Sequence, residues 1–207
     1  DENYFYLFAG TDGRKKFNMH VGHVNSWSQQ QNFGLQRYVL RFFYQPLNTL
    51  SLSLITEYEQ TPNKTQYVTE RSFNGTPRYV LGKIDNESLS TTLRVNYNIN
   101  PNLTIQYYGQ PFIFNAKYSN FNYVNNPIAE DLNDRVTWYD NNQISFEEGV
   151  YNVDEDKDGT TDYSFGDPNF SFVQFRSNLV VRWEYIPGSA IFLVWSQGIT
   201  GIGDPNN

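Results

Sequence analysis

The stretch Asp154-Glu155-Asp156-Lys157-Asp158-Gly159-Thr160-Thr161-Asp162 carries the sharpest local chemistry in the chain. Aspartates at positions 1, 3 and 5, glycine at 6, a backbone carbonyl at 7 and aspartate at 9 reproduce the start of a calcium loop. Alternate hard oxygens converge on Ca²⁺ while glycine permits the sharp turn. The ligands this predicts are Asp154, Asp156, Asp158, Thr160 and Asp162, with Ca²⁺ ordering the loop rather than catalysing. Position 12 is Phe165, where a bidentate glutamate belongs, and Asp167 lies two residues beyond. The competing reading is a solvated acidic loop tip.

Other reactive groupings are weaker. Glu57 and Glu59 share one strand face, ~6.6–7 Å apart along the strand, a separation compatible with glycoside hydrolysis. Arg37, Arg41, Arg94 and Arg182 fall on the same predicted surface, so an Arg–Glu ladder is the stronger reading. His20 and His23, three residues apart on a strand, point to opposite faces and cannot share a metal without a bulge. With no cysteine, no glycine-rich phosphate loop and no nucleophile elbow, an enzyme has no residues to stand on. Trp138, Tyr139, Tyr151, Tyr163 and Phe165 punctuate an Asn- and Asp-rich loop, where they either stack on sugars or form a small loop core. The second is favoured.

The elements that must hold these residues are strands. Leu89, Leu93, Val95 and Tyr97 alternate with Ser90, Thr92, Arg94 and Asn96; Leu50, Leu52, Leu54 and Tyr58 alternate with Ser51, Ser53, Glu57 and Glu59. In the last hairpin, Leu179, Val181, Trp183 and Tyr185 oppose Arg176, Asn178, Arg182 and Glu184. Such period-two patterning fits no helical template. Shorter strands are expected around 66–68 and 78–81, split by Asn74-Gly75. The run Ile191 to Trp195 is apolar on both faces, which leaves its register open. Arg176 and Asn178 are expected near the long-loop rim.

Strands of about ten residues, apolar on one face and polar on the other, describe a membrane-spanning barrel. Descending strands end in Tyr44, Tyr97 and Tyr185, and the short turns after them hold Pro46, Pro101 and Pro187. Short turns at one end and long connections at the other (59–65 and 119–170) match short periplasmic turns and long outer loops. Tyr44, Tyr97, Trp183 and Tyr185 are then membrane-interface aromatics. The expected fold is an all-β, antiparallel, up-and-down transmembrane β-barrel of about eight to ten strands over residues 1–207, this chain being a part of the full barrel. Its lumen would be lined by Arg37, Arg41, Glu57, Glu59, Arg94, Gln106, Gln110, Arg176, Arg182 and Glu184.

Composition bounds this reading. Mean hydropathy is −0.61, and no apolar run approaches a transmembrane helix, but strand alternation halves the apolar content a spanning barrel needs. Aromatics make up 17% of the chain. The net charge of −7 is uneven: residues 130–167 hold 12 acidic and 2 basic side chains, the rest 10 and 13. A nucleic-acid surface is unsupported. The chain opens on Asp1 rather than Met, which reads as a mature or internal segment, and the trailing Gly201, Gly203 and Pro205 suggest that a closing strand lies downstream.

Several phrases carry a resemblance: Gln66-Tyr67-Val68, Arg78-Tyr79-Val80, Thr92-Leu93-Arg94-Val95-Asn96-Tyr97, Pro101-Asn102-Leu103-Thr104-Ile105-Gln106, Gln110-Pro111-Phe112, Tyr118-Ser119-Asn120-Phe121, Asp158-Gly159-Thr160-Thr161-Asp162-Tyr163 and the 178–197 hairpin. Across about residues 60–198 the chain resembles the C-terminal domain of a Gram-negative family of unknown function. Its members pair an N-terminal carbohydrate-binding-like β-sandwich with an outer-membrane barrel. The resemblance implies an outer-membrane location within a larger parent protein, and no activity. The chain departs from the family pattern in lacking the sugar-binding module and the closing strand.

The function this supports is a non-enzymatic outer-membrane barrel whose partner is the lipid bilayer. It would anchor a binding module or serve in a larger envelope complex, with other envelope proteins or surface glycans as further partners. The alternatives are a channel for small solutes or glycans, and a soluble, calcium-dependent carbohydrate-binding sandwich.

Overall fold

A computed structural model describes residues 2–28 and 32–203. The strands are β1 (Glu2–Gly10), β2 (Phe17–Ser28), β3 (Gly34–Leu47), β4 (Leu50–Gln60), β5 (Asn63–Phe73), β6 (Thr76–Asn100), β7 (Leu103–Val124), β8 (Val136–Trp138), β9 (Ile144–Glu147), β10 (Val150–Val153), β11 (Tyr163–Gly166), β12 (Phe170–Ile186) and β13 (Ser189–Gly203). A short helix, α1 (Leu132–Arg135), precedes β8, and Asp131 caps it by accepting from the Asn133 N–H.

Ten strands form one antiparallel sheet in the order β1-β2-β3-β4-β6-β7-β12-β13, with β5 on the far half of β6 and β8 on the far end of β7. β9, β10 and β11 make a separate small sheet. The fold is all-β and antiparallel, as the alternation predicts. The sheet does not close into the expected barrel: β1 and β13 are its edges, and no ladder joins them among the described residues.

Register sorts the side chains by face, because directly paired residues point the same way. Tyr44 pairs with Leu52, Leu54 with Leu93, Val95 with Tyr107, Leu179 with Tyr107 and Trp195, and Val181 with Leu193. These rows make one apolar face running from β2 to β13. The opposite face carries Arg37 beside Glu59, Ser53 beside Arg94, Asn96 beside Gln106, and Arg176 beside Gln110. The open register of the last run is thereby resolved. Ile191, Leu193 and Trp195 join the apolar face; Phe192 and Val194 stand on the polar one, opposite Arg182 and Val180.

Two expectations need correction. The predicted strand at 78–81 and the strand at 89–97 are a single 25-residue element, β6, because β5 folds back on its first half. The turn between β5 and β6 is Asn74-Gly75, with φ of 49° and 75°, the doubly left-handed geometry that Asn-Gly supplies at low cost. Arg176 and Asn178 lie mid-strand rather than at a rim, since β12 begins at Phe170 and stays paired with β7 throughout.

The short turns align at one end, stitched by backbone bonds from the Gln45 N–H to the Lys16 carbonyl and from the Asn98 N–H to the Thr49 carbonyl. At the opposite end β5, β8 and the β9–β11 sheet build a cap. Its core is Val80, Phe121, Tyr139, Val153, Tyr163 and Phe165. By contrast, β1–β4, β12 and β13 together contribute one buried hydrophobic side chain, Val39.

Candidate functional site

The acidic turn at 154–162 is shaped by its own backbone. Asp154 accepts from the Asp158 and Gly159 N–H groups at 3.1 and 2.8 Å, and Asp162 accepts from the Glu155 N–H at 2.7 Å. Gly159 takes φ of 92°, the left-handed conformation glycine adopts without a Cβ penalty. Carboxylate oxygens of Asp154, Asp156 and Asp162 lie within 4.8 Å of one another. Asp158 and Thr160 are engaged with each other instead, the Thr160 hydroxyl donating to Asp158 at 2.6 Å. That contact holds the Asp158 carboxyl below its usual range. Desolvation first, then the neighbouring carboxylates, push Asp156 upward. Phe165 is buried in the cap core and offers no ligand. Three of the five predicted ligands therefore converge, and they supply part of the six to eight oxygens that Ca²⁺ takes.

Beneath this turn lies a contact that residue spacing did not disclose. Glu155, between two of the acidic positions, turns inward and accepts from the Arg78 Nε at 2.8 and 3.0 Å. The Tyr163 hydroxyl donates to the same carboxylate at 2.7 Å and lies 2.7 Å from the Tyr139 hydroxyl. The guanidinium also sits 4.9 Å from the Tyr123 ring centroid and 5.5 Å from that of Phe73. Desolvation raises both Tyr139 and Tyr163 well above the ordinary tyrosine value. The pair ties residues 77 apart in sequence, so only long-range information could have linked Arg78 with Glu155.

The loop aromatics divide as the loop-core reading predicts. Tyr139, Tyr163 and Phe165 are buried, Tyr151 is half-buried against Phe121 and Phe165, and Trp138 stays exposed.

On the polar face of the large sheet, Arg37 meets Glu59 at 2.6 Å and Arg182 meets Glu184 at 2.5 Å. Arg94 lies over the Tyr108 ring, whose hydroxyl donates to Gln110, and Gln110 in turn donates to Ser90. Gln106 pairs with Asn96 and Val180. Arg41, Glu57 and Arg176 stand on this face with no ion pair among the described residues. Glu57 and Glu59 share the face, and Arg37 engages Glu59. His20 falls on the polar face beside Arg41, and His23 stacks on Tyr38 on the apolar one, so they share no metal.

Tyr44, Tyr97, Trp183 and Tyr185 lie near the short turns and are exposed. Tyr44, Tyr97 and Trp183 stand on the apolar face. Phe17 joins them, edge-on to Tyr44 at 6.3 Å. A second row at His23, Tyr38 and Tyr58 lies six residues further along the strands, ~20 Å of rise, with centroids 4.6 and 6.4 Å apart. The sequence contains this second row as aromatics within the same alternation, six residues from the first.

The class these observations define is an all-β antiparallel protein with one uncovered apolar face and a folded cap at the long-connection end. The chain belongs to the DUF5916 family, a domain of unknown function, whose model matches residues 1–204. That match reaches further toward the N-terminus than the phrases between 60 and 198. No curated protein and no solved structure matches the chain.

Proposed function

We propose that this chain is a transmembrane segment of an outer-membrane β-barrel in a Gram-negative envelope, acting as a non-enzymatic anchor or subunit, with its cap on the outer side. One observation carries the reading: among the described residues, the apolar face of the large sheet has no layer over it. Leu54, Val173, Trp183 and Leu193 are 36, 47, 52 and 64% exposed, whereas an antiparallel sheet in water packs that face on a core. A lipid-facing surface supplies the missing solvent. The two aromatic rows bracket an aliphatic band that includes Leu40, Leu54 and Val21, as interfacial girdles do.

The sheet edges extend the reading. The interior strands alternate, but β1 (Tyr4 to Phe8) and β13 (Ile191 to Trp195) are apolar and exposed on both faces. Unpaired backbone does not persist in hydrocarbon, so both edges require partner strands that complete the barrel. In the full protein, a carbohydrate-binding-like sandwich would precede this domain, and the barrel would anchor it. The test is fractionation of the full protein from its native envelope, with gel migration before and after heating. Recovery with outer membranes and heat-dependent migration support the proposal; a protein that stays soluble after lysis defeats it. Ohmic conductance in planar bilayers would move the assignment from anchor to channel.

A further inference from the structure

A groove at the long-connection end has no role in the barrel. It consists of two adjoining hollows of about 370 and 470 Å³ that share Asn32, Lys64 and Lys83. Trp138 lines the first hollow and Trp27 the second, and the two residues are 36 and 40% exposed.

The backbone builds this groove by two irregularities placed at one height. Opposite Lys83, β7 carries an extra residue: Leu81 pairs with Asn122 and Lys83 with Ser119. Asn120 in that bulge takes φ of 48°, which turns its side chain to the groove while Phe121 enters the cap core across Gly82. On the other side of β6, Asn63 pairs with Ile84 and Gln66 with Gly82, so β5 bulges at Lys64-Thr65. Bulges re-aim side chains next to sites, and here both neighbours of β6 bulge around one lysine.

We propose that this groove binds an acidic oligosaccharide. The exposed indole of Trp138 offers a flat apolar platform for a sugar ring, and Asn120 and Asn133 present amide donors and acceptors suited to neighbouring hydroxyls. Charge sets the class. Lys83 is paired with Asp85 at 2.7 Å, and Asp131, which lines the first hollow and keeps its charge, accepts from the Asn133 N–H at the start of α1. Lys64 is exposed with no acidic partner among the described residues, and it is the cation left to meet a sugar carboxylate or phosphate. Acidic sugars reach an outer surface as free polysaccharide or as lipid-linked headgroup sugar, and both present the same chemistry to the groove.

Calorimetric titration of the full protein in detergent separates the cases, and membrane insertion does not enter the readout. The probes are tetragalacturonate as the free acidic chain, lipopolysaccharide core oligosaccharide as the lipid-derived one, and maltohexaose as the neutral control. Saturable binding of either acidic probe is expected, weakened about tenfold or more by Trp138→Ala and by Lys64→Glu and restored by Trp138→Phe. Whichever acidic probe binds more tightly identifies the source. Failure of both acidic probes, equal binding of maltohexaose, or affinity unchanged in Trp138→Ala would overturn the proposal.

Discussion

The cap and the body of the large sheet follow opposite rules within one chain. In the cap, aromatic side chains turn inward: Phe121, Tyr139, Tyr163 and Phe165 pack together, and the Arg78–Glu155 pair beneath the acidic turn is shielded by tyrosines. In the body, apolar side chains stand on one uncovered face of the sheet and the charges line the other. The first arrangement is what water selects, because buried apolar area is favourable and buried charge must be paired. The second is stable where the outer solvent is hydrocarbon. The boundary falls within β6 and β7, each of which runs from the body into the cap without a break.

Substitutions should therefore have different consequences in the two regions. The largest effect is expected at the buried pair. The Arg78 and Glu155 side chains are 18 and 7% exposed, and Glu155→Ala leaves the guanidinium unpaired, which should cost about 3–5 kcal/mol of cap stability. Limited proteolysis should then cut between residues 140 and 170 while the sheet body stays intact. Next, Leu93→Arg puts a charge on the apolar face and should cost about 2–4 kcal/mol of stability in bilayers. The same change at neighbouring Thr92, on the polar face, should be tolerated, as refolding yields into vesicles would show.

Alkaline pH gives a smaller, region-specific effect. Tyr139 and Tyr163 are raised above the ordinary tyrosine value in the folded cap, desolvation being the leading cause. Their contribution is fully present below the unfolded value, about pH 10, and is lost as pH climbs from there toward the folded values. Cap unfolding, followed by near-ultraviolet circular dichroism, should begin above that pH, and Tyr163→Phe should blunt the dependence. Smallest is Gly75→Ala in the β5–β6 turn: at φ of 75° the added Cβ should cost about 1 kcal/mol, read as a lower melting temperature of the cap alone.

How much of this could be read from residues alone also divides by region. The sheet body was legible because each strand alternates with period two, so Leu93 and Arg94 declare opposite faces without any partner being known. The exception is β13, where Phe192 and Val194 break the alternation and only pairing with Arg182 and Val180 sets the register. The cap was legible in composition but not in connection. Its aromatics were visible in a loop of acidic residues, yet the Arg78–Glu155 pair crosses 77 positions and no local pattern reports it. The groove was less legible still. It depends on bulges at Lys64-Thr65 and Asn120-Phe121, and a bulge is a mismatch between two strands that neither strand's sequence shows by itself.

The central claim is that the apolar face meets lipid; these 207 residues hold no cysteine, and with any cysteine elsewhere in the full protein replaced by serine each introduced label reports alone. The deciding measurement is the fluorescence of a bimane attached at Leu93→Cys or at Arg94→Cys, with the full protein in vesicles of brominated phosphatidylcholine. Strong quenching at position 93 and little at position 94 is the predicted result. Equal, weak quenching at both positions, with both labels open to aqueous iodide, would contradict it.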